Sequence, residues 1–186
     1  MSEHDKRALV SLLASRSARR GSFTLSSGRQ SSLYIDARLT TMSPDGLALI
    51  GPLGLRTLNA TGWRVDAVGG LTLGADPIAY AISYASALTA APVRAFTVRK
   101  EAKAHGTGKL IEGPFQAGDR VAVIEDTITT GGSALRAVEA VRAAGGEVAG
   151  VLALVDREEG GREAIEAHGL QVVSLVTASD ILAVPV

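Results

Sequence analysis

Two adjacent acids, Glu125 and Asp126, close the apolar run 121–124 and are followed directly by Thr127, Ile128, Thr129, Thr130, Gly131, Gly132 and Ser133. That order suits a sugar phosphate. Carboxylates accept hydrogen bonds from a ribose diol, while threonine and serine hydroxyls donate to phosphate oxygens. Paired glycines let the backbone come close to an anion. If residues 133–144 form a helix, its first N–H groups and its dipole favour negative charge at the same place. A second group, Arg99, Lys100, Lys103 and His105, gathers three cations and a histidine within seven residues, beside Gly106 and Gly108. Mobile cations of this kind can close over a polyanion, stabilise charge on a departing oxygen and exclude water. A third candidate is Arg157, placed where the apolar run 147–155 ends. Its planar fork can grip a carboxylate through two parallel hydrogen bonds.

These residues need a scaffold, and the pattern around them alternates helix with strand. Helices are expected over 5–17, 43–59, 76–88, 133–144 and 160–168. Strands are expected over 22–25, 33–36, 65–69, 93–98, 120–124, 147–155 and 172–176. Ser43 reads as an N-cap with Pro44 at the first helical position, and Gly51-Pro52 predicts a break or kink. Residues 26–29 read as a turn, and 69–74 and 99–118 as loops, the last long enough to suggest function. Such alternation predicts one α/β domain with a mostly parallel twisted sheet flanked by helices. Ligands of such sheets bind at the carboxyl ends of the strands, where 125–133 would lie.

The composition limits the alternatives. Lys plus Arg and Asp plus Glu balance at 19 each, so bulk charge points to neither nucleic acid nor a membrane surface. There is no cysteine, which excludes disulfides, thiolate metal sites and a cysteine nucleophile. Residues 1–20 lack the apolar stretch of a signal peptide, and no window approaches the roughly 18 apolar residues of a membrane span. A cytoplasmic enzyme is the expectation. G-x-x-x-x-G-K-[ST] and a strand-linked G-x-G-x-x-G are both missing, which disfavours P-loop and dinucleotide-binding folds.

The stretch 125–133 resembles the motif with which the phosphoribosyltransferase family binds phosphoribosyl pyrophosphate (PRPP). Three more stretches resemble orotate phosphoribosyltransferases in particular. They are Phe23-Thr24-Leu25-Ser26-Ser27-Gly28-Arg29 with Tyr34-Ile35-Asp36, the segment 98–108, and Leu154-Val155-Asp156-Arg157-Glu158-Glu159-Gly160-Gly161. Together they span residues 23–161. The resemblance implies a type I phosphoribosyltransferase fold over residues 1–186, with a small N-terminal hood at about 1–40, a core at about 41–186 and a flexible catalytic loop. It implies that Glu125 and Asp126 bind the ribose hydroxyls, that Thr127, Ile128, Thr129, Thr130, Gly131, Gly132 and Ser133 hold the 5′-phosphate, and that Arg99, Lys100, Lys103 and His105 meet the pyrophosphate. Tyr34, Ile35, Thr129 and Arg157 would contact orotate. Lys103, Arg99, His105 and Asp126 are the implied catalytic residues. Mg2+ would be the cofactor, held mainly by PRPP and water. The implied assembly is a homodimer whose 99–118 loop reaches the neighbouring active site. Many family members carry lysine where this chain has Ser26 and Leu73, and a shorter subgroup that it resembles does not.

Overall fold

The computed structural model describes residues 3–24, 30–101 and 109–185. Helix α1 (Glu3–Arg16) has Glu3 and Asp5 in its first turn and Arg16 in its last, the polarity a helix dipole favours, and it buries Leu9, Val10 and Leu13. Strands β1 (Ala18–Thr24) and β2 (Gln30–Ile35) pair antiparallel, with Arg19 opposite Tyr34 and Arg20 opposite Leu33. The turn expected at 26–29 lies outside the described residues. A four-residue helix, α2 (Arg38–Thr41), leads to α3 (Pro44–Ala60). Ser43 caps α3, its hydroxyl accepting from the Gly46 N–H at 3.2 Å. The break expected at Gly51-Pro52 does not occur. Pro52 faces solvent, where its missing N–H is cheap, while Gly51 packs so closely on α4 (Ala75–Ser86) that a Cβ there would sit 2.5 Å from the Ala81 carbonyl.

The central sheet comprises β3 (Ala67–Leu71), β4 (Arg94–Val98), β5 (Ile111–Glu112), β6 (Arg120–Ile128), β7 (Glu147–Asp156) and β8 (Val172–Thr177), in the order β5-β4-β3-β6-β7-β8. All neighbours are parallel except β5, which lies antiparallel on the edge of β4. Both faces of the sheet are covered, so its strands read as continuous apolar runs. Alternate residues serve opposite layers. Ala122, Ile124, Leu152 and Leu154 pack with Leu13, Ile50, Leu53, Ile78 and Ile82 of α1, α3 and α4. Val121, Val123, Val151 and Ala153 pack with Ala134, Val138, Val141 and Ile165, which belong to α5 (Gly132–Ala143) and α6 (Gly161–Glu166). Helix α7 (Ala178–Leu182) follows β8 directly, opened by a reciprocal cap between Thr177 and Asp180. Among the described residues, no helix is long and apolar enough to cross a membrane.

Two strands differ from expectation in ways that shape the site. β3 covers 67–71 rather than 65–69, so Gly69 and Gly70 are strand residues. A Cβ at Gly69 would lie 2.7 Å from the Phe96 ring, and one at Gly70 2.8 Å from the Ala75 Cβ; only glycine fits. β6 continues four residues beyond 124. Glu125, Thr127 and Ile128 pair with Ala153, Val155 and Asp156 of β7, so the acids stand on a fixed strand end. The 99–118 region contains the short strand β5, and its residues 102–108 lie outside the described residues.

Candidate active site

The carboxyl ends of β3, β6 and β7 open into a cavity of about 750 Å3. β6 places Glu125 and Asp126 in its wall, and residues 127–133 run from the strand end into α5. Gly131 precedes α5 with φ +81°, a conformation natural to glycine, and a Cβ there would approach the Gly161 carbonyl to 2.8 Å. Among the described residues no side chain caps α5, so the Ser133 hydroxyl is not engaged as its N-cap, and Gly131, Gly132 and Ser133 at the start of this twelve-residue helix line the cavity.

Glu125 is 8% exposed, and its Oε2 has no hydrogen-bond partner among the described residues. Burial pushes its carboxyl well above the usual range, and the neighbouring Asp126 charge adds to the shift. Asp126 lies against Gly74, where a Cβ would come within 2.5 Å of its carboxylate carbon, and its Oδ1 accepts from the Thr127 N–H. The opposing wall is the turn Thr72-Leu73-Gly74, with a cis Thr72–Leu73 peptide. This turn is tied down by Asp76, whose two carboxylate oxygens accept from Thr72 Oγ1 at 2.6 Å and Thr97 Oγ1 at 2.9 Å.

Arg157 enters from the end of β7. It is 6% exposed, and its Nη2 donates both to the Leu33 carbonyl and to Glu159 Oε1, each at 2.7 Å. A solvated surface pair is therefore ruled out. Glu158 turns away, with φ 57°, and accepts from the Ser179 N–H and hydroxyl. By bonding Leu33, Arg157 links the core to the strand that carries Tyr34 and Ile35, both of which line the cavity.

The cavity thus collects Tyr34, Ile35, Lys100, Arg157 and all nine residues from 125 to 133. Arg99 does not line it; its guanidinium lies 3.6 Å from Glu112 and reaches the Glu101 carbonyl. Lys103 and His105 lie outside the described residues. Two features escaped the sequence reading: Arg38, which lines the cavity beside Asp36, and the Asp76 clamp behind the 72–74 turn. The Asp-x-Arg spacing after Tyr34-Ile35 was the available signal for the first. Nothing local marks Asp76, because its partners are four and twenty-one residues away.

No family model matches the chain. Among curated relatives, the orotate phosphoribosyltransferase of Aquifex aeolicus is 51% identical over 160 residues, 86% of each chain. That of Mycobacterium tuberculosis is 50% identical over 181 residues, covering 97% of this chain and 98% of the relative. A crystal structure of the M. tuberculosis enzyme in complex with PRPP superposes with a TM-score of 0.80 at 46% identity, over 95% of this chain and 98% of that one. Half of all positions agree over nearly the whole length. On that footing the chain belongs to the orotate phosphoribosyltransferase family.

Proposed function

We propose that the cavity transfers the phosphoribosyl group of PRPP to N1 of orotate, forming orotidine 5′-monophosphate and pyrophosphate in pyrimidine synthesis. The observation that carries this reading is one cavity lined both by the buried Arg157 and by the whole 125–133 segment. A carboxylate-bearing base and a sugar phosphate can then be held together. Residues 129–133 would take the 5′-phosphate on hydroxyls and helix N–H groups. Glu125 and Asp126 would accept from the ribose hydroxyls, and the partnerless Oε2 of Glu125 would gain a donor there. Arg157 and Thr129 would hold orotate against the backbone of Tyr34 and Ile35.

Breaking the bond from the anomeric carbon to pyrophosphate leaves positive charge on the ribose; N1 then bonds to that carbon as its N–H bond breaks, and the proton passes to water or to the departing pyrophosphate. Much of the rate enhancement would come from positioning. Lys100, Lys103, His105 and Arg99 would offset charge on the departing pyrophosphate. For Arg99, this requires release from its present contacts with Glu101 and Glu112. Mg2+ fits the site chemically. Two adjacent carboxylates, one with a partnerless buried oxygen, suit a hard cation shared with ribose hydroxyls. Pyrophosphate and water would supply most of its ligands, and it would neutralise phosphate charge.

A homodimer with the 99–118 loop reaching the neighbouring site completes the reading. Tyr80 and Tyr84 on α4, with Leu88 just beyond it, stand exposed at four-residue spacing and offer an apolar face to a second copy. A cytoplasmic location accords with this role. The test is product stoichiometry with PRPP, orotate and Mg2+. Orotidine 5′-monophosphate and pyrophosphate should appear in equal amounts, and hydrolysis of PRPP without nucleotide would refute the transfer.

A further inference from the structure

We propose that Arg38 is a fixed binding cation for the pyrophosphate end of the donor, an inference that rests on the reading above. The substrates bring three anionic groups into one cavity. Arg157 answers the carboxylate, and the start of α5 with its hydroxyls answers the 5′-phosphate. The remaining wall is the 72–74 turn with Lys100 and Arg38. Leu73, 60% exposed, contributes no charge. Lys100 leads into residues 102–108, whereas Arg38 belongs to described, regular structure at the start of α2.

Its guanidinium is already oriented. Asp36 accepts from Arg38 Nε at 2.8 Å and Nη2 at 3.0 Å, and also from its backbone N–H at 3.2 Å. Those contacts use two of the roughly five guanidinium donors. The rest are committed to no described residue, on a side chain that remains 50% exposed. The Asp36 hydrogen bond raises the Arg38 pKa, and the Asp126 charge contributes, which puts Arg38 within electrostatic reach of the acid beside Gly74. A planar fork held from behind by one carboxylate and open in front suits a phosphate oxygen pair. Pre-orientation also lowers the entropy lost on binding.

The alternative is a local rim pair that braces the hood. Titration calorimetry of full-length wild type, Arg38→Met and Arg38→Lys with inorganic pyrophosphate, ribose 5-phosphate and orotate separates the two. Removing a charge-assisted contact should weaken pyrophosphate binding by about tenfold or more in Arg38→Met. Arg38→Lys should be intermediate, and both should bind ribose 5-phosphate and orotate as wild type does. Unchanged pyrophosphate binding in Arg38→Met would overturn the inference. So would an equal loss for all three ligands, which marks a bracing role; Arg38→Lys gives the same readout if the methionine variant folds poorly. Pyrophosphate binding that depends on Arg38 in a wild type unable to convert orotate would sink the proposed transfer while leaving this inference standing.

Discussion

Among the described residues of the proposed site, Glu125 and Arg157 are the charged ones that are buried. Glu125 is an acid whose folded pKa is raised above the unfolded value near 4.3. Its neutral form therefore contributes stability that is complete below that value and is lost as pH rises through the folded pKa. A permanently neutral Glu125→Gln should melt close to wild type near pH 4 and above it near pH 8, while binding PRPP more weakly. Melting curves across that range check the sign; a variant less stable than wild type at about pH 8 contradicts it. Arg157 makes charge-assisted bonds in a buried setting. Arg157→Ala should raise the orotate KM by roughly 10- to 100-fold, the scale of hydrogen bonds to charged groups. Lys103 acts on the leaving group in this account, so steady-state kinetics of Lys103→Ala should show a large fall in kcat with orotate binding little changed. Equal turnover would remove Lys103 from the mechanism.

At the element scale, the strand ends decide where the chemistry stands. The passage from β6 through Gly131 into α5 works only with a left-handed residue there. Gly131→Ala should cost at least about 1 kcal/mol in urea unfolding, from backbone strain and from the clash with the Gly161 carbonyl. It should also weaken ribose 5-phosphate binding; a variant with wild-type stability and affinity would refute the requirement. The order of helices and strands was readable from the sequence because apolar runs and turn residues mark most of them. Their ends were less so. The acids at 125 and 126 look like loop residues, yet cross-strand pairing with Ala153 and Val155 extends β6 through them. Gly70 looks like a loop residue because glycine is rare in strands, and tight contact with Ala75 overrides that rule. Pro52 looks like a helix break, but a solvent-facing ring is tolerated. Arg38 was legible only through the Asp-x-Arg spacing, and Asp76 was not legible, since one of its two partners, Thr97, lies on β4 twenty-one residues away.

Across the whole molecule, the two-stranded hood and the six-stranded core meet over one cavity, and Arg157 is the covalent neighbour of neither Leu33 nor Tyr34 but bonds across to that strand. If loop 99–118 serves the neighbouring subunit, Lys103→Ala and Arg157→Ala should complement each other. Random pairing would leave roughly a quarter of sites with both residues intact. At low orotate, where both variants are impaired, mixing the two preparations should therefore raise activity above that of either alone, and no recovery after subunit exchange would place the loop over its own site. Tyr84→Glu on the exposed face of α4 should shift the protein towards monomer in analytical ultracentrifugation and lower its activity; an active monomer would contradict loop sharing. The central claim is that this cavity selects a carboxylate-bearing base for phosphoribosyl transfer. It is tested most directly by the ratio of kcat/KM for orotate to that for uracil, in wild type and in Arg157→Ala. The account predicts a large ratio in wild type that collapses in the variant. Comparable use of uracil by wild type, or a ratio unchanged by the substitution, would contradict it.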